Sequence, residues 1–90
     1  MTVAVESLSE KHHPSPVEIK VNRKPVIVAS HEVTGLQIKE AAIAQGVQIE
    51  LSFQLSEELE HHQTRIIGND EIVHVHEGSK FLAVHGDDNS

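Results

Sequence analysis

Eight histidines among ninety residues are the first groups in this chain that could do chemistry, because imidazole binds transition metals and titrates near neutral pH. Spacing narrows the set. His74 and His76 are two apart, so a strand through them puts both rings on one face, with His85 a candidate third ligand from a later strand. The pairs His12-His13 and His61-His62 fall in polar stretches expected to be mobile. No spacing specifies a third ligand, so surface histidines that titrate are the ordinary reading and no metal site is assigned. Glu57, Glu58 and Glu60 are the second candidate, as an acid/base set. Catalytic carboxylates need unlike environments that push their pKa values apart, whereas these three fall in a polar run, Ser56 to Thr64, that reads as an exposed loop. There is no glycine-rich phosphate loop and no nucleophile on a strained elbow. No catalytic residue and no cofactor is therefore assigned, and enzymatic activity is not expected.

The composition limits partners and setting. The chain has no cysteine, which removes disulfides, thiolate catalysis and Cys-based zinc sites together. Small secreted domains usually carry disulfide staples, so a cytoplasmic setting is expected. No apolar run approaches the roughly twenty residues that span a bilayer, and no basic-then-apolar leader opens the chain. The formal charge is −7, with acids grouped at Glu57–Glu60, Asp70–Glu77 and Asp87-Asp88, and the bases Lys20, Arg23, Lys24 and Lys39 mostly in the first half. Phosphate backbones and anionic lipid would be repelled, so neither nucleic acid nor membrane is expected as a partner, and a basic protein groove is favoured. The plain alternative is that the acids keep a small domain soluble.

The elements that would position these groups follow from periodicity. Val17-Glu18-Ile19-Lys20-Val21 alternates as a half-buried strand, Asn22-Arg23-Lys24 supplies a turn, and Pro25 to Ala29 resumes as a second strand. Thr34 followed by Gln37 makes a capping box, with Val33 and Ile38 as a hydrophobic staple, and the helix stops at Gly46. Ile38 and Ala42 share one narrow face, which suits a helix lying across a sheet. Val47, Ile49, Leu51, Phe53 and Leu55 alternate with polar residues, which predicts a long strand over 47–55. Arg65-Ile66-Ile67 predicts a short strand ending at the turn cluster Gly68-Asn69-Asp70. Glu71 to His76 fits either a strand or a packed extended segment. After Gly78-Ser79 turns the chain, Lys80 to His85 reads as the closing strand. A domain of about seventy residues with two phenylalanines needs both inside. Phe81 then faces the core, and Leu82 and Val84 face outward as candidate partner-binding residues; burial of this edge beneath the acidic loop is the competing reading.

Hairpin, helix, long strand, acidic loop and closing strand form the order of a β-grasp, an α+β fold in which a mixed sheet of four to five strands wraps one helix; the pattern alone also fits other small α+β folds. The division that results is a flexible arm over residues 1–16, the domain over 17–86, and a flexible acidic tail over 87–90.

Several short runs resemble the prokaryotic ubiquitin-like proteins of the multi-ubiquitin type. They are Ile19-Lys20-Val21-Asn22-Arg23-Lys24, Val33-Thr34-Gly35-Leu36-Gln37-Ile38, Arg65-Ile66-Ile67-Gly68-Asn69-Asp70-Glu71-Ile72-Val73, Gly78-Ser79-Lys80-Phe81 and Gly86-Asp87-Asp88-Asn89. The resemblance covers the chain from about Val17 onward. It implies a bacterial conjugation modifier that performs no chemistry itself. Its C-terminal carboxylate would be adenylated by an activating (E1-like) enzyme, passed to a carrier (E2-like) residue, and joined to an amine on a target protein, with a processing protease as a further partner. The residues that such a route would use are Gly86, Asp87, Asp88, Asn89 and Ser90. The sequence departs from the usual modifier in lacking a terminal Gly-Gly. Trimming by the protease, near Asn89-Ser90 or just after Gly86, is the expected resolution. The alternatives are partner enzymes that accept another end, or a β-grasp binding module that is never conjugated. A sulfur carrier, which needs a Gly-Gly thiocarboxylate, fits the ending less well.

Overall fold

The computed structural model describes residues 15–86, so most of the expected arm and the whole of the expected tail lie outside the described residues. Strand β1 (Val17–Val21) turns at Asn22 and Arg23 and pairs antiparallel with β2 (Lys24–Val28). Both turn residues have left-handed backbones, φ 52° and 72°, the mirror-image turn whose twist matches a two-residue hairpin. The expected turn is therefore one residue shorter, and Lys24 belongs to the strand. Asn22 also fastens the turn sideways. Its Nδ2 donates to the Ala83 carbonyl at 3.0 Å, and its Oδ1 accepts from the Ala83 N–H at 2.8 Å.

A short strand β3 (Glu32–Thr34) leads into helix α1 (Gly35–Ala44). The capping box is present as the sequence predicts. Thr34 Oγ1 accepts from the Gln37 N–H at 3.1 Å and Gln37 Oε1 accepts from the Thr34 N–H at 2.8 Å. Gln45 caps the other end, followed by Gly46 at φ 97°, a conformation that favours glycine. The helix buries Ile38 and Ala42 against the inner residues of the sheet.

The segment after Gly46 departs from the expected long strand. Val47 and Ile49 are buried, but the chain is irregular to Phe53, turns at Leu51-Ser52, and becomes strand only at β4 (Gln54–Glu58). The physical reason is Lys39. Its side chain is 4% exposed and its Nζ donates to the carbonyls of Leu51 and Phe53, at 2.7 and 2.9 Å. Those carbonyls are satisfied by a helix side chain instead of a neighbouring strand, so burial alternates at Val47 and Ile49 without a ladder and breaks at Leu51, which is 46% exposed. Phe53 is in turn only partly buried, unlike Phe81, which is 1% exposed. The expected acidic loop is also shortened, because Ser56, Glu57 and Glu58 pair with β5 and β7 as strand residues, and only a 3₁₀ turn at Glu60–His62 and its flanks form the loop.

Strand β5 (Thr64–Ile67) pairs antiparallel with β4, β6 (Ile72–His74) pairs antiparallel with β3, and β7 (Lys80–Val84) closes the structure. The main sheet has the order β2-β1-β7-β4-β5, with β7 parallel to β1 and antiparallel to β4. Its inner face supplies Val17, Ile19, Val21, Val26, Leu55, Phe81 and Ala83 to the core beneath the helix.

The helix start and the β5–β6 link meet at one junction. Gly35 N–H donates to Glu71 O and Leu36 N–H to Asn69 O, both at 3.1 Å. The Glu71 carboxylate binds the Arg65 guanidinium and accepts from the Gly68 N–H at 3.2 Å. A Cβ on Gly35 would collide with the Gly68 carbonyl. Gly35→Ala should therefore destabilise the domain by about 1–3 kcal/mol through overpacking, against the gain that helix propensity alone would give. A thermal midpoint raised by the substitution would contradict this packing. The Arg65 guanidinium holds the Glu71 carboxyl below the ordinary value of 4.5, and the Gly68 N–H adds to it. A depressed folded-state value contributes stability above the ordinary carboxyl value and loses it as pH falls through the folded one. The urea midpoint of the native chain should fall further between pH 7 and pH 3 than that of Glu71→Gln.

Candidate functional site

Strand alternation assigns every residue of β4, β5 and β7 to the helix side or to the outer face. Phe81 and Ala83 are buried inward, so Leu82 and Val84 lie outward, Leu82 partly buried and Val84 50% exposed. In register beside Leu82 is Ser56 on β4, and beside Ser56 is Ile66 on β5, 60% exposed. Val84 lies beside Gln54. Leu82, Val84 and Ile66 thus form a shallow apolar strip over three neighbouring strands, with the small Ser56 between them.

Ile66 was not singled out by the sequence reading. The signal that could have found it is the pair Ile66-Ile67, since neighbouring strand residues face opposite sides. Ile67 is 3% exposed, which leaves Ile66 outside.

Charges of both signs rim one end of the strip. Lys20 and Lys80 are in register on the parallel pair β1 and β7, with Glu18 Oε2 3.6 Å from Lys20 Nζ. A groove of about 740 Å³ passes this end, with Glu58, Glu60, His61, His62, His76 and Lys80 among its lining residues. The other end carries the exit of β7. His85 lays its ring against Phe53, centroids 5.4 Å apart, and Gly86 follows near Ser52 and Gln54. The residues Asp87, Asp88, Asn89 and Ser90 lie outside the described residues.

The three glutamates singled out in the sequence are separated. Glu57 lies on the helix side with an oxygen 3.5 Å from Arg65, Glu58 faces outward, and Glu60 sits in the 3₁₀ turn. The histidines are likewise dispersed. His74 Nε2 lies 3.0 Å from Glu32 Oε2 on the β3–β6 ribbon, while His76 takes its backbone contact from Ser79 near the start of β7. His85 is beyond the opposite end of that strand. Among the described residues no group of three or more His, Cys, Asp or Glu side chains is placed to hold a metal ion. Among them, too, no helix is long and apolar enough to cross a membrane.

What the geometry provides is a contact surface: an apolar strip, a mixed-charge rim, and a strand end leading directly from it. The Multiubiquitin family model matches residues 17–85. No curated protein and no solved structure matches the chain. With that match over most of its length and one helix packed on a mixed five-stranded sheet, the chain belongs to the Multiubiquitin family and has a ubiquitin-like β-grasp fold.

Proposed function

We propose that this domain is a bacterial, cytoplasmic ubiquitin-like protein modifier, or its precursor, that acts through the segment following β7. The observation that carries this reading, together with family membership, is that β7 bears the outward Leu82 and Val84 and then runs into His85-Gly86 at the sheet margin. One strand thereby supplies both a docking surface and the segment to be activated. Ubiquitin-like domains are typically non-enzymatic, so the chemistry belongs to partners.

In the proposed route a processing protease trims the segment near Asn89-Ser90 or just after Gly86. An E1-like enzyme then joins the new carboxylate to the AMP portion of ATP and releases pyrophosphate. A nucleophile on an E2-like carrier displaces AMP. An amine of the target protein displaces the carrier, loses a proton, and forms the amide. Gly86 suits this passage because it lacks a side chain. Leu82, Val84 and Ile66 would hold the domain on these enzymes while the segment enters their active sites.

The second reading is a β-grasp binding module that docks through the same strip without covalent transfer. The strip favours it in one respect, since it is complete without residues 87–90.

Three measurements test these readings. Intact mass after co-expression with a candidate processing protease should fall by the trimmed residues; an unchanged full-length mass removes trimming. Deleting residues 87–90 should abolish ATP-dependent adducts that survive denaturation where trimming is near Asn89-Ser90, and should make them independent of the protease where it is just after Gly86. Leu82→Arg with Val84→Arg should weaken enzyme docking about tenfold, as loss of central apolar contacts does. Docking that survives the deletion with no adduct formed by either form would favour the binding module.

A further inference from the structure

The two edges of the five-stranded sheet are treated differently by the chain. In β1 the N–H groups of Lys20 and Asn22 bond toward β7, so the odd-numbered residues bond toward β2. Ladder alternation then turns the backbone groups of Pro25 and Ile27 toward the open side of β2. That side is closed. Pro25 has no N–H, and the Gln45 side-chain amide occupies both groups of Ile27: the Ile27 N–H donates to Oε1 and Nε2 donates to the Ile27 carbonyl, each at 2.8 Å. One glutamine thus imitates a neighbouring strand.

The β5 edge has no such cover among the described residues. Leu59 N–H donates to Gln63 O at 2.7 Å, in the same register that pairs Glu57 with Arg65 and Leu55 with Ile67. Alternation therefore points the N–H and C=O groups of Thr64 and Ile66 away from β4 into solvent. Thr64 and Ile66 are also exposed as side chains, Ile66 in continuity with the outer strip. On the helix side of the edge, Arg65 is shared between Glu57 and Glu71. The β4–β5 hairpin and its adjoining turns, residues 54–71, carry five carboxylates, Glu57, Glu58, Glu60, Asp70 and Glu71, and one guanidinium that is already engaged by two of them.

We propose that β5 is an acceptor edge for an extended strand from a basic partner protein. The incoming strand bonds Thr64 and Ile66, lays apolar side chains beside Ile66 on the outer face, and presents lysine or arginine to the excess acid of this hairpin. Period-two alternation of apolar and basic residues is the sequence that fits. A second copy of this chain is disfavoured as occupant, because two such hairpins would set ten carboxylates against two guanidinium groups that are already engaged. The inference does not depend on conjugation, since it concerns backbone groups that are exposed whether or not the segment after β7 is transferred.

The test is amide NMR on the full chain with three short synthetic peptides: alternating lysine and valine, the same peptide with glutamate for lysine, and the lysine peptide N-methylated at its valines. The lysine peptide should shift the Thr64 and Ile66 amides and slow their exchange, leave Ile27 unmoved, and bind less well as salt rises. The glutamate and N-methylated peptides should each bind about tenfold more weakly or worse. Ile66→Pro removes one outward donor and leaves the ladder to β4, because that N–H points away from it; it should weaken the lysine peptide by a similar factor. The N-methylated arm carries the test if that variant does not fold. Four results would each overturn the proposal: no shift with millimolar lysine peptide, equal binding of the glutamate peptide, shifts at Ile27 instead, or Thr64 and Ile66 amides already protected in a concentration-dependent way without peptide.

Discussion

β7 is the backbone link between the two hairpins of the main sheet. The β1–β2 pair lies on one side of it and the β4–β5 pair on the other, and no ladder joins them except through residues 80–84. On the β1 side Lys20 N–H donates to Ser79 O at 2.8 Å and Asn22 N–H to Phe81 O at 3.0 Å. Phe81 and Ala83 then fill the centre of the core. The sheet cannot close until the last strand arrives from about sixty residues away in sequence, a non-local pairing that carries a large loop-closure cost before it gains contacts. Tension applied to the segment after β7 would load both ladders at once, instead of peeling an edge strand one bond at a time.

That anchorage extends to the helix through a single buried ammonium. Lys39 fixes the Leu51 and Phe53 carbonyls, Phe53 supports the ring of His85, and Gly86 leaves beside Ser52. Helix, turn and exit form one continuous set of contacts. Burying an ammonium is costly unless its protons find acceptors. Here two backbone carbonyls meet it, and those carbonyls would otherwise lack a ladder partner. Each solves the other's problem, which is why an irregular segment can cross the end of the core. Among the described residues no buried side-chain nitrogen or oxygen is without a partner.

How far the fold was legible depends on whether a signal was local. The helix start was fully legible, because Thr34, Gln37, Val33 and Ile38 act within one turn and form the expected cap. The first hairpin was legible to within a residue, since Asn22-Arg23 sits between two alternating runs. The stretch over 47–55 was misread because burial period and hydrogen-bond ladder are separate properties. Val47 and Ile49 alternate in burial with their neighbours, yet the choice between ladder and loop was made by Lys39, a residue on another element. Glu57 and Glu58 were placed in a loop for the converse reason: two adjacent acids give no period, although a central strand can face one to solvent and the other to Arg65. For the candidate site, the alternation of β7 was enough to put Leu82 and Val84 outside. The pair Ile66-Ile67 put one of the two outside, but aligning Ile66 with Leu82 needed the cross-strand register, which no single segment contains.

The outer strip also has a built-in direction. Isolated exposed apolar residues are ordinary on small domains, but Leu82, Val84 and Ile66 are aligned across neighbouring strands, and Ser56 keeps the space between them low. A partner resting on such a strip gains contact area without geometric preference, because apolar burial is non-directional. Orientation must come from the rim. Lys20, Lys80 and Glu58 stand at one end, whereas Gln54 and the exit beside Val84 stand at the other. A partner with complementary charge at one margin can seat in only one sense without leaving like charges opposed. Its opposite margin then falls over His85 and Gly86, so the charged end of the sheet sets which part of a bound protein meets the departing strand.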